Sequence, residues 1–245
     1  MEDSSIHSHR WSLVYRAGGI ACIIAAILII IDIIISLAYG ISSNSTSETA
    51  AVWFGLLRDN VMMGLYGLDF LNLIYQIVFI FIFFAIYAAH RHSKTGGDAH
   101  LSIILFVVGT AVYLSCNTAL PMLDLSWKYA NALSETQKLT YLAAGEAVIA
   151  KGATGSAGAL VGIILPAIAG MLISRVMFKG GVFNKITSVS GYAGNLLIII
   201  YIFIATLFPH YGQIATIVSA SGLFLIVLWV FATGRKLFKL TLHKK

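Results

Sequence analysis

Long apolar segments alternate with short polar ones along the whole chain. An α-helix that crosses a bilayer needs about 20 mostly apolar residues, and six segments reach that length. Their residues do not alternate between apolar and polar, as those of half-buried strands do, so the segments predict helices. The expected spans cover residues 17–39, 61–89, 101–122, 153–178, 186–208 and 214–233.

Composition narrows the class of protein. Of the 245 residues, 59% are hydrophobic and only 11% are charged, whereas soluble domains carry about 25% charged residues. No polar segment is long enough to form a domain of its own. We therefore predict an all-α fold, a polytopic membrane bundle with one transmembrane domain of six helices over residues 17–234. Residues 1–16 form an N-terminal segment, and residues 235–245 form a basic tail.

The distribution of positive charge predicts the orientation. All but four of the 16 Lys and Arg residues fall on the side of the spans that carries both termini. Cytoplasmic loops are enriched in Lys and Arg, so both termini are expected in the cytoplasm, with the protein in the cell membrane. Because the basic residues lie in short loops beside the spans, the net charge of +6 is a topology signal. It does not indicate nucleic acid, and the lipid bilayer is the expected partner.

The polar connection before the fourth span predicts one further helix. Ser134 is followed three residues later by Gln137, a spacing typical of a capping box at a helix start. We expect a helix over residues 135–150 that lies at the membrane interface. Glu146 lies near its end, and Lys151 follows it.

The second span carries polar residues at helical spacing. Asp69, Asn72 and Gln76 recur at steps of three and four, which places them on one face of a helix. A charged side chain at the centre of a bilayer costs about 2.5–3.5 kcal/mol on insertion scales. We therefore expect the other spans to pack against this stripe, or water to reach it.

The topology gathers polar residues in the outer half of the bundle, while the inner halves of the spans are mostly aliphatic. One interpretation is an outward-facing pocket with an apolar floor that binds a small molecule or an ion. The other is a set of hydrogen bonds between helices, together with ordinary interfacial charges. For Asp32 the same choice lies between a protonated or hydrogen-bonded packing residue and a proton- or cation-linked site. The candidate pocket residues are Asp32, Tyr66, Asp69, Asn72, Gln76, Asn117, Glu146 and Lys151.

Three classes of function remain open from the residues alone. The first is a transporter or small-ligand-binding protein that uses the pocket. The second is a structural or partner-binding subunit that forms a homo-oligomer through Gly158 and Gly162, which have the spacing of a tight helix contact. The third is an enzyme at the outer leaflet. We find no catalytic, metal or cofactor motif, and Cys22 and Cys116 are expected to pack as apolar residues.

Several short motifs resemble a family of prokaryotic six-span membrane proteins known as domain of unknown function 4386. They are Tyr15-Arg16-Ala17-Gly18-Gly19, the stripe that leads to Ala85-Ile86-Tyr87, the helix of residues 134–150, and Gly181-Val182-Phe183-Asn184-Lys185-Ile186. The resemblance covers most of residues 12–230. It implies the six-span fold and no activity, since none is assigned to the family.

Overall fold

The computed structural model describes residues 2–39 and 48–242, and the side chains of residues 11–35 and 48–242. Within these ranges the chain forms ten α-helices and no strand. A 3-10 turn, Pro209–Tyr211, joins the last two helices. The α-helices are α1 Glu2–Tyr39, α2 Ala50–Asp59, α3 Val61–Gly67, α4 Phe70–His90, α5 Gly96–Cys116, α6 Ala119–Ala130, α7 Glu135–Gly152, α8 Ala157–Gly180, α9 Lys185–Leu207 and α10 Gly212–Leu242.

Six helices form a closed ring. α1, α4, α5, α8, α9 and α10 each pack against the next one, and α10 packs back against α1. Six helical segments are long and apolar enough to cross a membrane, and each contains one helix of the ring. The predicted all-α bundle of six spans is confirmed.

The four shorter helices pack together at one end of the ring, and we call α2, α3, α6 and α7 the cap. They connect α1 to α4 and α5 to α8, so they lie at the end opposite the first residues of α1 and the last residues of α10. The cap has its own apolar core, in which Trp53, Phe54, Leu57, Met122 and Ile149 are buried. Burial of such side chains contributes about 1.5–3 kcal/mol each, which holds the short helices in place.

The second span is broken, so the prediction of a continuous helix over residues 61–89 is wrong. α3 ends at Gly67 and α4 begins at Phe70. Between them Asp69 has a left-handed backbone, with φ 65° and ψ 30°. Asp and Asn are among the few residues besides Gly that visit this region routinely, because a short polar side chain can form local hydrogen bonds. The residues on both sides of Asp69 are mostly apolar, so the hydrophobic pattern of the sequence gives no sign of the break.

The third span ends earlier than predicted. α5 stops at Cys116, and Asn117 and Thr118 separate it from α6. Pro121 does not end the span but lies in the first turn of α6. Proline is tolerated there because the first N–H groups of a helix have no partner within the helix.

The predicted helix before the fourth span is confirmed as α7. Ser134 Oγ accepts a hydrogen bond from Gln137 N at 3.2 Å, and Gln137 Oε1 accepts one from Leu133 N at 2.9 Å. These bonds satisfy backbone donors at the start of the helix. The same connection contains α6, which the sequence pattern did not separate from the span.

Gly158 and Gly162 face another helix of the same chain. A Cβ added at Gly158 would lie 2.2 Å from Cys116 Sγ, and one at Gly162 would lie 2.8 Å from Tyr113 Cα. Both glycines therefore allow α8 to approach α5 closely within one molecule. The proposed homo-oligomer remains untested, but α5 already covers this face.

Candidate functional site

A cavity of about 280 Å³ lies on the axis of the ring, and all six spans line it. The break before α4 also contributes, through Asp69. The polar lining residues are Asp32, Asp69, Asn72, Tyr75, Gln76, Asn195, Tyr201, Thr216 and Ser219. The apolar and aromatic ones are Ile29, Ile33, Phe79, Phe83, Phe106, Ile163, Pro166, Ala167, Ile198, Ala220, Leu223, Ile226 and Trp229.

Four aromatic rings form the floor of this cavity, at the end away from the cap. Phe83 stacks on Phe106 with ring centroids 4.1 Å apart. Trp229 meets the edge of Phe83 at 6.3 Å, and Phe79 lies 6.3 Å from Trp229. Trp229 Nε1 donates to Met177 Sδ at 3.3 Å, which fixes the indole ring. Below this floor the ring helices pack in a continuous apolar core.

Asp69 is the most connected polar residue of the wall. Its Oδ2 accepts hydrogen bonds from Tyr113 Oη and from Asn72 Nδ2, the latter at 3.1 Å. Asn117 Nδ2 donates to the main-chain oxygen of Asp69 at 3.2 Å. These bonds join the start of α4 to the end of α5 and hold the carboxyl group at the cavity. The helix break explains the position of Asp69, since it lies at the N-terminus of α4 and not on its face.

Asp32 approaches the same cavity from α1. Tyr66, which is buried in α3, donates from Oη to the main-chain oxygen of Asp32 at 3.1 Å. This bond ties the cap to α1. Asp32 also interacts electrostatically with Asp69, and both residues line the same cavity.

Two amide side chains of α4 complete this wall. Gln76 Oε1 accepts from Thr110 Oγ1 of α5 at 3.5 Å. Asn72 Oδ1 is buried and has no hydrogen-bond partner among the described residues. Most buried polar atoms have a partner in the protein or in ordered water. Within the described part of the chain, Asn72 Oδ1 is therefore an unpaired acceptor inside the wall, and the cavity does not reach it.

A smaller cavity of about 40 Å³ lies between the ring and the cap. Trp53 of the cap and Tyr113, Cys116 and Asn117 at the end of the third span are among its lining residues. Asp69 lines this cavity as well as the central one. The carboxyl-bearing residue at the helix break thus lies between the central cavity and the cap.

Glu146 and Lys151 lie outside both cavities, which corrects their assignment to the pocket. Glu146 Oε1 accepts from Ala50 N at 2.7 Å and so caps the start of α2. Lys151 Nζ donates to the main-chain oxygen of Ser115, in the last turn of α5, at 2.6 Å. Glu146 therefore joins α7 to α2 within the cap, and Lys151 joins α7 to α5 of the ring. Of the other candidates, Asp32, Asp69, Asn72 and Gln76 line the central cavity, Asn117 lines the smaller one, and Tyr66 supports Asp32.

The role of Glu146 leads to a prediction about stability. Glu146→Ala removes the acceptor at the start of α2, and loss of such a cap costs about 0.5–2 kcal/mol. We expect a lower thermal unfolding midpoint, and partial recovery in Glu146→Gln because the amide oxygen still accepts. Glu135→Ala is the control, since Glu135 is exposed and pairs only with Lys138 at the start of α7. Equal midpoints for the Glu146→Ala variant and the unaltered protein would contradict this role.

Sequence reasoning missed the half of the wall formed by α9 and α10. Asn195, Tyr201, Thr216 and Ser219 line the cavity there, and Tyr113 of α5 binds Asp69. They are dispersed among apolar residues, and only Thr216 and Ser219 are three residues apart on one helix. The available signal was depth, because all of them except Asn195, which lies near the middle of α9, are in the half of their helix nearer the cap.

Within the part of the chain that the structure describes, no three His, Cys, Asp or Glu side chains come together to hold a metal ion. In comparisons with family models, curated proteins and solved structures, nothing matches this chain. The resemblance to the six-span family stays a prediction. The chemistry of the central cavity is the remaining guide to function.

Proposed function

We propose that this protein is a multi-pass protein of the cell membrane that binds a small ligand in its central cavity, as a transporter or a ligand-binding protein. The observation that carries the proposal is the cavity itself, which all six spans line and whose mainly apolar wall includes, among the described residues, nine polar ones, two of them Asp. Ligand sites in membrane transporters lie between spans near the midplane, often beside broken helices. The break at Asp69 differs in depth, since it lies at the cap end of the span, where α3 meets α4.

The volume of the cavity argues against the alternative that its polar residues only hold helices together. A cavity of about 280 Å³ is large enough for several water molecules. Hydrogen bonds that serve packing alone would draw the helices together and leave no such space. The polar residues in the wall of this space favour water or a ligand inside it.

Two features indicate the side of the membrane to which the cavity opens: the distribution of Lys and Arg residues, and the aromatic floor. The Lys and Arg excess on the side of the termini supports a cytoplasmic position for both termini, and the cap then faces outward. The four aromatic rings close the cavity toward the termini. The cavity therefore exchanges its contents on the cap side. A transporter would in addition have to open the floor.

Thiol labelling tests whether water reaches the cavity. Ser219 lines the cavity, and Ser219→Cys is a nearly isosteric change. Ile217, two residues away on the same helix, is 66% exposed on the outside of the ring and gives the matched control Ile217→Cys. With Cys22→Ala and Cys116→Ser in the background, we expect a small polar thiol reagent to label the Ser219→Cys variant at least tenfold faster than the control.

Equal, slow labelling of both variants in folded protein would contradict the proposal. The polar residues would then be buried packing groups. A search for a partner protein on the surface of the ring would be the next step.

A further inference from the structure

We infer that the ligand of the central cavity is an organic cation, an ammonium group attached to a small apolar body. This inference rests on the proposed function and adds the chemical class of the ligand. It depends on three features of the cavity: the sign of its charge, the position of its aromatic rings and the absence of a metal site among the described residues.

The charge of the lining has one sign. Asp32 and Asp69 line the cavity, and none of the described lining residues is Lys, Arg or His. Lys151, the basic residue that the sequence placed in the pocket, instead donates to Ser115 outside it. Carboxylates enclosed in a membrane protein without a basic neighbour are costly, and such groups pair with cations. A cationic ligand can pair with these acidic side chains, whereas an anionic ligand would find no basic partner among the described lining residues.

The polar groups near the cap suit an ammonium head. An ammonium group carries only donors and no acceptor. Asp32 and Asp69 both line the cavity, and their carboxyl oxygens are acceptors. An ammonium group close to the two carboxyl groups can donate to both.

The floor suits an apolar body. Phe79, Phe83 and Trp229 lie within one contact network, and the cavity extends from the carboxyl groups to these rings. Aromatic faces attract cations and pack against apolar groups. A ligand with its charge near Asp69 and its carbon skeleton on the rings satisfies both ends of the cavity at once.

A bare metal ion fits less well. Ca²⁺ takes six to eight oxygen ligands and prefers several carboxylates, and the described residues provide no group of three His, Cys, Asp or Glu side chains. The aromatic rings of the floor carry no oxygen atoms that could coordinate such an ion. The size of the cavity, about 280 Å³, also exceeds the needs of a single ion.

A matched set of three probes tests the inference on the full chain in nanodiscs of zwitterionic lipid. The probes are 4-phenylbutylamine, 4-phenylbutanol and 4-phenylbutyrate, which share one carbon skeleton and differ in charge. Equilibrium dialysis with empty nanodiscs as the reference removes the contribution of lipid partitioning. We expect saturable binding of the amine, at least tenfold tighter than that of the alcohol or the acid.

The outcomes separate this inference from the proposed function. If the alcohol or the acid binds as tightly as the amine, the ligand is not a cation, and the binding cavity stands. If none of the three binds while the Ser219→Cys variant is labelled, the inference is again overturned and the proposed function stands. If the variant is not labelled, both are overturned.

Discussion

Asp69→Asn is expected to weaken the binding of 4-phenylbutylamine by roughly ten- to a hundredfold and to leave the protein folded. Hydrogen bonds to a charged group contribute about 1.5–3 kcal/mol, and every 1.4 kcal/mol is about a tenfold change in affinity. Asparagine keeps an oxygen that accepts from Tyr113, which donates to Asp69 in the native protein. The variant thus removes the charge and little else.

Asparagine is also the replacement that suits the backbone. Asp69 has a φ of 65°, a conformation that Asn tolerates and most other side chains do not. Asp69→Ala would combine the loss of the carboxyl group with backbone strain and the loss of the two hydrogen bonds that Asp69 Oδ2 accepts. Its expected result is poor folding, which would say nothing about the ligand.

Two further variants complete this experiment. Asp98 is exposed in the first turn of α5, at the end of the ring opposite the cap, and Asp98→Asn is the control that should bind the amine normally. Asp32→Asn removes the second carboxyl group of the cavity and should also weaken binding. Unchanged affinity in both folded cavity variants, measured by the same dialysis, would show that the carboxyl groups do not hold the ligand.

Gly162→Ala is expected to lower the free energy of unfolding by about 1–3 kcal/mol, the usual cost of overpacking. The added Cβ would lie 2.8 Å from Tyr113 Cα and 2.9 Å from Tyr113 N. These are backbone atoms, so α5 as a whole would have to shift. Tyr113 also binds Asp69, and the displacement should therefore disturb the cavity. Unfolding in denaturant or by heat gives the measurement.

Whether Gly162→Ala lowers or raises the free energy of unfolding shows whether helix packing or helix propensity dominates at this position. Alanine is more favourable than glycine inside a helix by about 0.5–1 kcal/mol. Gly55 in α2 has no neighbouring atom within 4 Å of an added Cβ, so Gly55→Ala should stabilise the protein. If Gly162→Ala left stability unchanged and instead altered the size of the particle, the glycine would lie at an interface between copies of the chain.

The six spans were predictable because a bilayer demands long apolar helices. Runs of about 20 apolar residues have few other solutions, so the six spans were found although some helix bounds differ, as where α4 begins at Phe70 and not at residue 61. The start of α7 was predictable for a local reason, since Ser134 and Gln137 bond to backbone atoms of their own turn. The long apolar runs and the Ser134–Gln137 spacing can both be recognised from residues that are close together in the sequence.

The candidate site was predictable only in part. Asp69, Asn72 and Gln76 stand out because polar residues are rare in spans, and all three line the cavity. The helix break at Asp69 depends on one residue in a left-handed conformation, which no periodicity reveals. Glu146 was misplaced because its partner, the backbone N–H of Ala50, lies 96 residues away. Such pairings depend on tertiary contacts.

The most direct test of the account compares labelling of the Ser219→Cys variant from the two sides of the membrane. A membrane-impermeant thiol reagent is applied to intact cells and to inverted vesicles, with Ile217→Cys as the control in each. We expect rapid labelling of the Ser219→Cys variant in intact cells and slow labelling in inverted vesicles, since the aromatic floor closes the other side. Slow labelling in both preparations, with the protein folded, would contradict the claim that the cavity is an outward-facing ligand site.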